Sequence, residues 1–431
     1  MNRIALLAAA LLMTALAAPA QTPAVRRSPM LAEGSPESAG MSPQRMARIG
    51  QMCEEETAAG RVPGMVALVA RKGKIVHWKA YGMADPGTGR KLRRDDIFRI
   101  ASQTKAITAT AVMMLWEEGR FRLDDPIANY LPEFRNMQIL RDFSPQDTTW
   151  TGVPAQQAIT IRHLLTHTSG IGYGAIDSDE RMRMIYRKAG IIDAWTTEPV
   201  TLADNIKRLA AMPLHFEPGT RYSYSEGLDV LGYFVEVISG MPFDQFLKTR
   251  IFDPLGMADT YFYVPAEKAG RLAAVQYRDN GVWTRMPAAL FNPDFPVSGA
   301  KTYFSGGGGL CSTVKDYAIF LQMYLNGGEY NGTRLLSRTT VETIMRNQTG
   351  DLFENPGQYY GLAFGVVAPE GQAIGGLGSP GTFDWGGFFN TLYFADPREQ
   401  VIGLLFKQTI GPIDDQTGWK FRQLVFQAID D

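Results

Sequence analysis

The chain has 431 residues, of which 45% are hydrophobic and 20% charged, and its formal net charge is −1. That is ordinary globular composition, with material for a sizeable core. The balanced charge argues against nucleic acid as a partner: there is no Lys/Arg run, and the basic residues from Arg181 to Arg208 are interleaved with apolar ones and read as wet helix faces.

Arg3 precedes an apolar run from Ile4 to Ala18, and Ala18-Pro19-Ala20 offers small residues where a signal peptidase reads. Residues 1–20 therefore read as a cleavable signal peptide, cut near Ala20, and the chain as exported, periplasmic or secreted. No later segment reaches about 18 apolar residues, so the mature form is expected to have no membrane span. Residues 21–41 read as a flexible leader. A helix is expected over 42–59, with Ser42 as its cap and Pro43 at the first helical position. Segments 65–70 and 75–81 read as strands joined by Arg71-Lys72-Gly73-Lys74, a hairpin. Helices are expected from about Ser102 to Glu118 and over 160–165, 202–211, 227–239 and 314–325. Segments 360–367, 388–394 and 401–407 read as strands, and 418–429 as a closing helix. The economical architecture is a single α/β (α+β) domain over 42–431. An antiparallel sheet from N- and C-terminal segments (about 42–110 and 300–431) is flanked by helices, with a mainly helical region (about 111–299) inserted. Cys53 and Cys311 are the only cysteines; whether they pair is open, and they form no metal-binding pattern.

Three segments hold residues suited to chemistry. In Ser102-Gln103-Thr104-Lys105, a serine at a helix start has a lysine at i+3 on the same face, with Cβ atoms about 5–6 Å apart. A serine hydroxyl is a weak nucleophile and needs a base or a nearby cation. A lysine in the apolar setting of Ile100-Ala101 and Ala106-Ile107 can lose its proton, or hold a charge that stabilises an alkoxide. The helix start adds free N–H groups and a positive dipole end. Alone, the four residues read more readily as a capping serine and a surface lysine, and the apolar flanks shift that reading. Tyr222-Ser223-Tyr224-Ser225-Glu226, after Pro218-Gly219, supplies a phenol able to act as base or proton relay. Spacing does not choose between Tyr222 and Tyr224. Asp384-Trp385-Gly386-Gly387-Phe388 puts two glycines at a strand entry, where a ligand can approach the backbone closely. An amide there, with that of Ser102, would form an oxyanion hole.

These segments occur in order with Leu164-Leu165-Thr166-His167-Thr168-Ser169-Gly170 and Gly306-Gly307-Gly308-Gly309. Together they resemble the β-lactamase-related serine hydrolases, the superfamily of class C β-lactamases and D-Ala-D-Ala carboxypeptidases. Through Trp-x-Gly at the third motif, the chain is most similar to family VIII carboxylesterases. The resemblance runs over nearly everything after Ser42. It implies the β-lactamase/transpeptidase fold, Ser102 as the acylated nucleophile, Lys105 as its activator, Tyr224 rather than Tyr222 as the phenol, and the amides of Ser102 and Phe388 as the oxyanion hole. It implies no metal and no organic cofactor. Penicillin-recognising relatives carry Tyr-x-Asn and Lys-Thr-Gly; here Glu226 stands in place of the Asn and Trp385 in place of the Lys. A missing cation and an added negative charge are expected to weaken anionic substrates and favour neutral esters with small or medium acyl groups. Trp385, Gly386, Gly387 and Glu226 are expected to contact that substrate. The expected reaction is ester hydrolysis through an acyl-enzyme, with a small-molecule ester or amide as partner. β-Lactam hydrolysis, D-Ala-D-Ala carboxypeptidase or D-aminopeptidase activity and acyl transfer are alternatives on the same residues, and a non-catalytic binding module on the same fold is another. The oligomeric state is not legible.

Other signals are weaker. Gly376-Leu377-Gly378-Ser379-Pro380-Gly381 fits G-x-G-x-x-G, but Pro380 leaves no helix to start there. His77, His163, His167 and His215 have no G-x-S-x-G elbow to complete a triad. His167 is expected to bond backbone carbonyls in a turn. The glycine run 306–309 lacks the Lys-Ser/Thr of a phosphate loop and reads as a tight turn near the site. Met182, Met184, Ile185, Tyr186 and Trp195 read equally as an acyl pocket and as core.

Overall fold

A computed structural model describes residue 25 and residues 27–288, 291–411 and 415–431. The expected signal peptide over 1–20 lies outside the described residues.

The main sheet is made from both ends of the chain. β1 (Ala32–Glu33), β2 (Gly64–Arg71) and β3 (Lys74–Asp85) precede the helical region. β4 (Gln358–Tyr360), β5 (Gly365–Val367), β6 (Phe383–Gly387), β7 (Thr391–Asp396) and β8 (Val401–Phe406) follow it. Their order is β1-β3-β2-β8-β7-β6-β5-β4, and the short strand Arg90–Lys91 adds to β3. β1 runs parallel to β3 and the other pairs are antiparallel. β2 and β8 stitch the two ends together, with Leu68 opposite Leu404. Every residue of β2 is buried. Val66, Leu68 and Ala70 face the main core, and Met65, Ala67 and Val69 face a second one. This is the period-2 alternation of a strand covered on both sides.

α1 (Pro43–Ala58) starts where the sequence places it: the Ser42 side chain accepts from the Arg45 amide and Pro43 opens the helix. α2 (Thr104–Glu117) is, Lys105 apart, apolar or small over its first three turns and runs through the main core, buried from Thr104 to Leu115. α3 (Ile161–Leu165), α4 (Gly227–Ser239) and α5 (Val314–Leu325) join the same core. α6 (Thr417–Gln427) packs with α1 over the second core. Among the described residues, no helix is long and apolar enough to cross a membrane. Cys53 and Cys311 are separate buried thiols, each pushed up to about 12 by burial.

Three expectations are corrected. The second half of the 21–41 leader is not loose. β1 pairs with β3, the Leu31 amide donates to the Tyr330 hydroxyl at 2.9 Å, and the Ser28 amide donates to Glu329 Oε2 at 3.0 Å. The folded body thus satisfies the leader's backbone donors. Segment 360–367 is a hairpin rather than one strand. The Gly361 amide donates to the Phe364 carbonyl at 2.8 Å, and Ala363 takes a φ of 68° to close the turn. Segment 388–394 begins with a turn, because the Asn390 amide donates to the Gly387 carbonyl at 2.9 Å. Trp385, Gly386 and Gly387 belong to the preceding strand, β6.

Candidate active site

The chain reaches the site along the short strand Phe98–Arg99 and bends at Ala101, whose φ of 45° lies in the left-handed region. That conformation is strained for an alanine. It carries Ser102 onto one 3-10 turn, Ala101–Gln103, that leads directly into α2. Lys105 follows one turn later and is only 1% exposed. Its Nζ donates to the Gly307 carbonyl at 2.7 Å, and reaches the Tyr173 hydroxyl at 3.3 Å and Ser102 Oγ at 3.4 Å. It also sits 4.6 Å from the centre of the Tyr224 ring, a cation–π arrangement. Lys105 is therefore not the solvated surface lysine that the four-residue motif alone allows.

Tyr224 is fixed from both sides by His167. The Ser223 amide donates to the His167 carbonyl at 2.8 Å, and the Ser225 amide donates to His167 Nδ1 at 3.1 Å. Burial, and then the nearby Lys105 charge, hold the imidazole well below its usual pKa, so it is neutral and Nδ1 can accept. His167 therefore accepts one backbone amide, that of Ser225, through its ring, where the sequence suggested bonds to carbonyls. Tyr224 lies against Tyr173, with ring centres 5.7 Å apart and planes 12° apart, and its hydroxyl accepts from Trp385 Nε1 at 3.3 Å. The hydroxyl bonded to Lys105 is that of Tyr173. Tyr222 packs instead on Phe353 and Tyr360.

Gly387 brings the end of β6 to the nucleophile's turn. A Cβ there would overlap the Ile100 carbonyl oxygen and Thr391 Oγ1, so glycine alone permits this approach. Phe388 follows beside Ser102.

Three carboxyls stand behind Lys105. Asp229, in the first turn of α4, accepts from Ser305 Oγ at 2.6 Å through Oδ1. Burial raises its pKa to about 6, against the opposing pull of that bond and of Lys105. Glu226 precedes α4 and is fully buried. Burial first, and then Asp193 and Asp229, push its carboxyl well above the usual range. Asp193 is raised as well, chiefly by burial. Glu226, expected to contact the substrate, is thus enclosed, and its environment disfavours the charged form.

The sequence reading missed Tyr173 and what holds it. Asp177 Oδ2 accepts from the Tyr173 amide at 2.8 Å and lies 2.8 Å from His215 Nε2. Burial pushes the Asp177 carboxyl up, but the His215 contact and two backbone amides outweigh it and hold the pKa below the usual value. A Cβ on Gly172 would stand 2.7 Å from Asp177 Oδ2 and 2.8 Å from His215 Nε2. The run Gly170-Ile171-Gly172-Tyr173-Gly174 was the available signal, an aromatic residue held among glycines next to the His167 segment. Asp229 offered only its place in the first turn of a helix, where a carboxylate suits the dipole.

The beta-lactamase family profile matches residues 49–426. The chain belongs to the beta-lactamase family. Relatives in it include Protein Rv1367c of Mycobacterium tuberculosis, 35% identical over 376 residues, 84% of this chain and 88% of that one. Esterase EstB of Burkholderia gladioli is 34% identical over 378 residues, 84% and 90% of the two chains. Among solved structures, EstCE1, described as a hydrolase with promiscuous acyltransferase activity, superposes with a TM-score of 0.74 at 25% identity, over 90% of this chain and 99% of that one. The α/β fold inferred from the sequence is that of this family, and its similarity to esterase-like members is borne out.

Proposed function

We propose that this member of the beta-lactamase family is a serine hydrolase that cleaves neutral carboxylic esters with short or medium acyl chains. The observation that supports it most is the enclosure of Lys105. A buried amine fixed by the Gly307 carbonyl, 3.4 Å from Ser102 Oγ, has little role on a protein surface and a clear one beside a nucleophile. In the mechanism this supports, Lys105 and Tyr224 take the proton of Ser102 as Oγ attacks the ester carbonyl. Tyr173, bonded to Lys105 Nζ, keeps the amine aimed. The amides of Ser102 and Phe388 receive the oxyanion, each contributing roughly 3–4 kcal/mol of transition-state stabilisation. The alcohol leaves protonated, and water hydrolyses the acyl-enzyme.

Preference for uncharged substrates rests on Trp385. The position that carries a cation in penicillin-recognising relatives holds an indole here, and that indole is bound to Tyr224. The test compares the native protein with Ser102→Ala and Tyr224→Phe on a short-chain ester and a cephalosporin, with fluorophosphonate labelling as a second readout. The expected result is Ser102-dependent labelling and ester turnover, with much slower cephalosporin turnover. Ester hydrolysis retained by Ser102→Ala would refute the nucleophile. The description of EstCE1 favours acyl transfer to an added alcohol as a second reading, and a transesterification product beside the free acid would support it. Export by the 1–20 segment is also part of the proposal, tested by fractionation of cells that express the full chain.

A further inference from the structure

Two sets of aromatic rings meet the Ser102 turn. In the first, Trp195 packs on Phe388 with ring centres 5.5 Å apart, on Phe291 at 4.7 Å and on Phe389 at 4.8 Å. This set touches the nucleophile's own turn, since Ala101 packs in the same small cluster as Phe389. In the second, Tyr224 packs on Tyr173 at 5.7 Å and on Trp385 at 5.8 Å. Among the described residues, no ring of one set packs on a ring of the other. The two are joined along the backbone by Trp385-Gly386-Gly387-Phe388, so the stretch between them carries no side chain.

Hydrogen bonds anchor both sets, Trp385 Nε1 donating to the Tyr224 hydroxyl at 3.3 Å in the second. Trp195 Nε1 donates to the Gly308 carbonyl at 2.9 Å, next to the Gly307 carbonyl that fixes Lys105. Arg99, buried three residues before Ser102, donates to the Pro293 carbonyl at 2.6 Å and the Ala273 carbonyl at 2.7 Å. That ties down the segment bearing Phe291. Phe388 is 42% exposed, while Trp195, Phe291, Tyr224 and Trp385 are half-buried. Phe388 is an open apolar ring backed by Trp195 and Phe389, and it directly follows Gly387, which approaches the Ile100 carbonyl at the nucleophile's turn. The charges nearby are withdrawn: Lys105 is enclosed, and Glu226 and Asp229 are buried.

We infer that the site selects esters carrying a flat, uncharged aromatic ring, which lies over the Gly386-Gly387 stretch between the Trp195–Phe388 wall and the Tyr224–Trp385 wall. The inference rests on the esterase reading above and narrows it. Rigid π surfaces reward an aromatic ring over a saturated ring of the same size through stacked and edge-to-face contacts, and two such contacts amount to about ten-fold.

The test uses matched pairs with the same carbon count and similar leaving groups. Methyl phenylacetate against methyl cyclohexylacetate places the ring on the acyl side. Benzyl acetate against cyclohexylmethyl acetate places it on the alcohol side. In at least one pair the native chain is expected to favour the aromatic ester about ten-fold in kcat/KM. That ratio is expected to fall toward one in Phe388→Leu, which keeps its backbone amide, and in Phe291→Leu. A ratio near one in both pairs overturns the inference, as does a ratio that survives both substitutions. Labelling of Ser102 without turnover of either aromatic ester overturns it too. These outcomes are separable from failure of the esterase reading, which shows as hydrolysis or labelling that survives Ser102→Ala.

Discussion

Asp229→Asn is expected to stabilise the protein at neutral and alkaline pH, although it alters a polar residue beside the candidate active site. Asp229 is fully buried, and its pKa rises from 3.8 to about 6 because desolvation outweighs the Ser305 bond and the pull of Lys105. The unfolded chain releases this proton more readily than the folded one. The favourable contribution of the neutral carboxyl is therefore fully present below about pH 3.8, and is lost as the pH rises through about 6. At about 1.4 kcal/mol per pH unit, the rise is worth about 3 kcal/mol above pH 7. Asparagine keeps an acceptor for Ser305 Oγ and carries no charge at any pH. Urea unfolding of both proteins at pH 4 and pH 8 measures the effect. The two are expected to be nearly equal in stability at pH 4, with the variant ahead by about 3 kcal/mol at pH 8. Asp316 also titrates near 6, but its contribution is common to both proteins and cancels in the difference. An offset that is the same at both pH values, or wild type gaining on the variant as pH rises, would refute the reasoning.

Gly387→Ala is expected to lower kcat about a hundred-fold or more, because its Cβ would overlap the Ile100 carbonyl and push Phe388 away from the Ser102 turn; steady-state kinetics with a melting curve separates this from unfolding. His215→Ala is expected to lower kcat with little change in KM. It removes the 2.8 Å contact that helps Asp177 hold the Tyr173 amide, and so loosens the phenol bonded to Lys105. His215→Gln can present a side-chain N–H near the place of Nε2 and is expected to recover most of the loss. Equal activity in His215→Ala and wild type would mean that the Tyr173 loop is held without it.

Much of the frame was legible because it follows from local rules. The Ser42-Pro43 start of α1 and the bounds of α4 and α5 agree with the sequence to within a residue. Capping chemistry and apolar period are both short-range. The hairpin at 361–364 was not legible, because Ala363, a residue with no turn preference, takes a positive φ there. That turn is held by tertiary contact, the Ala363 amide donating to the Leu165 carbonyl at 3.1 Å. The same division runs through the candidate site. Ser102 and Lys105 share a helical turn, so their proximity could be read from spacing. Tyr173 reaches Lys105 from 68 residues along the chain and Trp195 reaches the supporting loop at Gly308 from 113 residues away, and no local pattern announces such contacts.

Glu226 shows most sharply what burial decides. In the sequence it is a carboxylate in the third place of a Tyr-Ser-x motif, and a carboxylate at a substrate site would repel anions. In the fold it is enclosed, next to two other carboxyls, and burial and those neighbours push its pKa up. Discrimination against anionic substrates is therefore not expected from Glu226. It is expected instead from Trp385, an indole where a cation would be needed, and from Lys105, whose Nζ is already taken up by the Gly307 carbonyl, Tyr173 and Ser102. A substrate carboxylate entering this cleft would lose its water and find aromatic faces in exchange, which is unfavourable for an anion. The same faces suit an uncharged ring, so the residues that weaken one class of substrate are those that would hold the other.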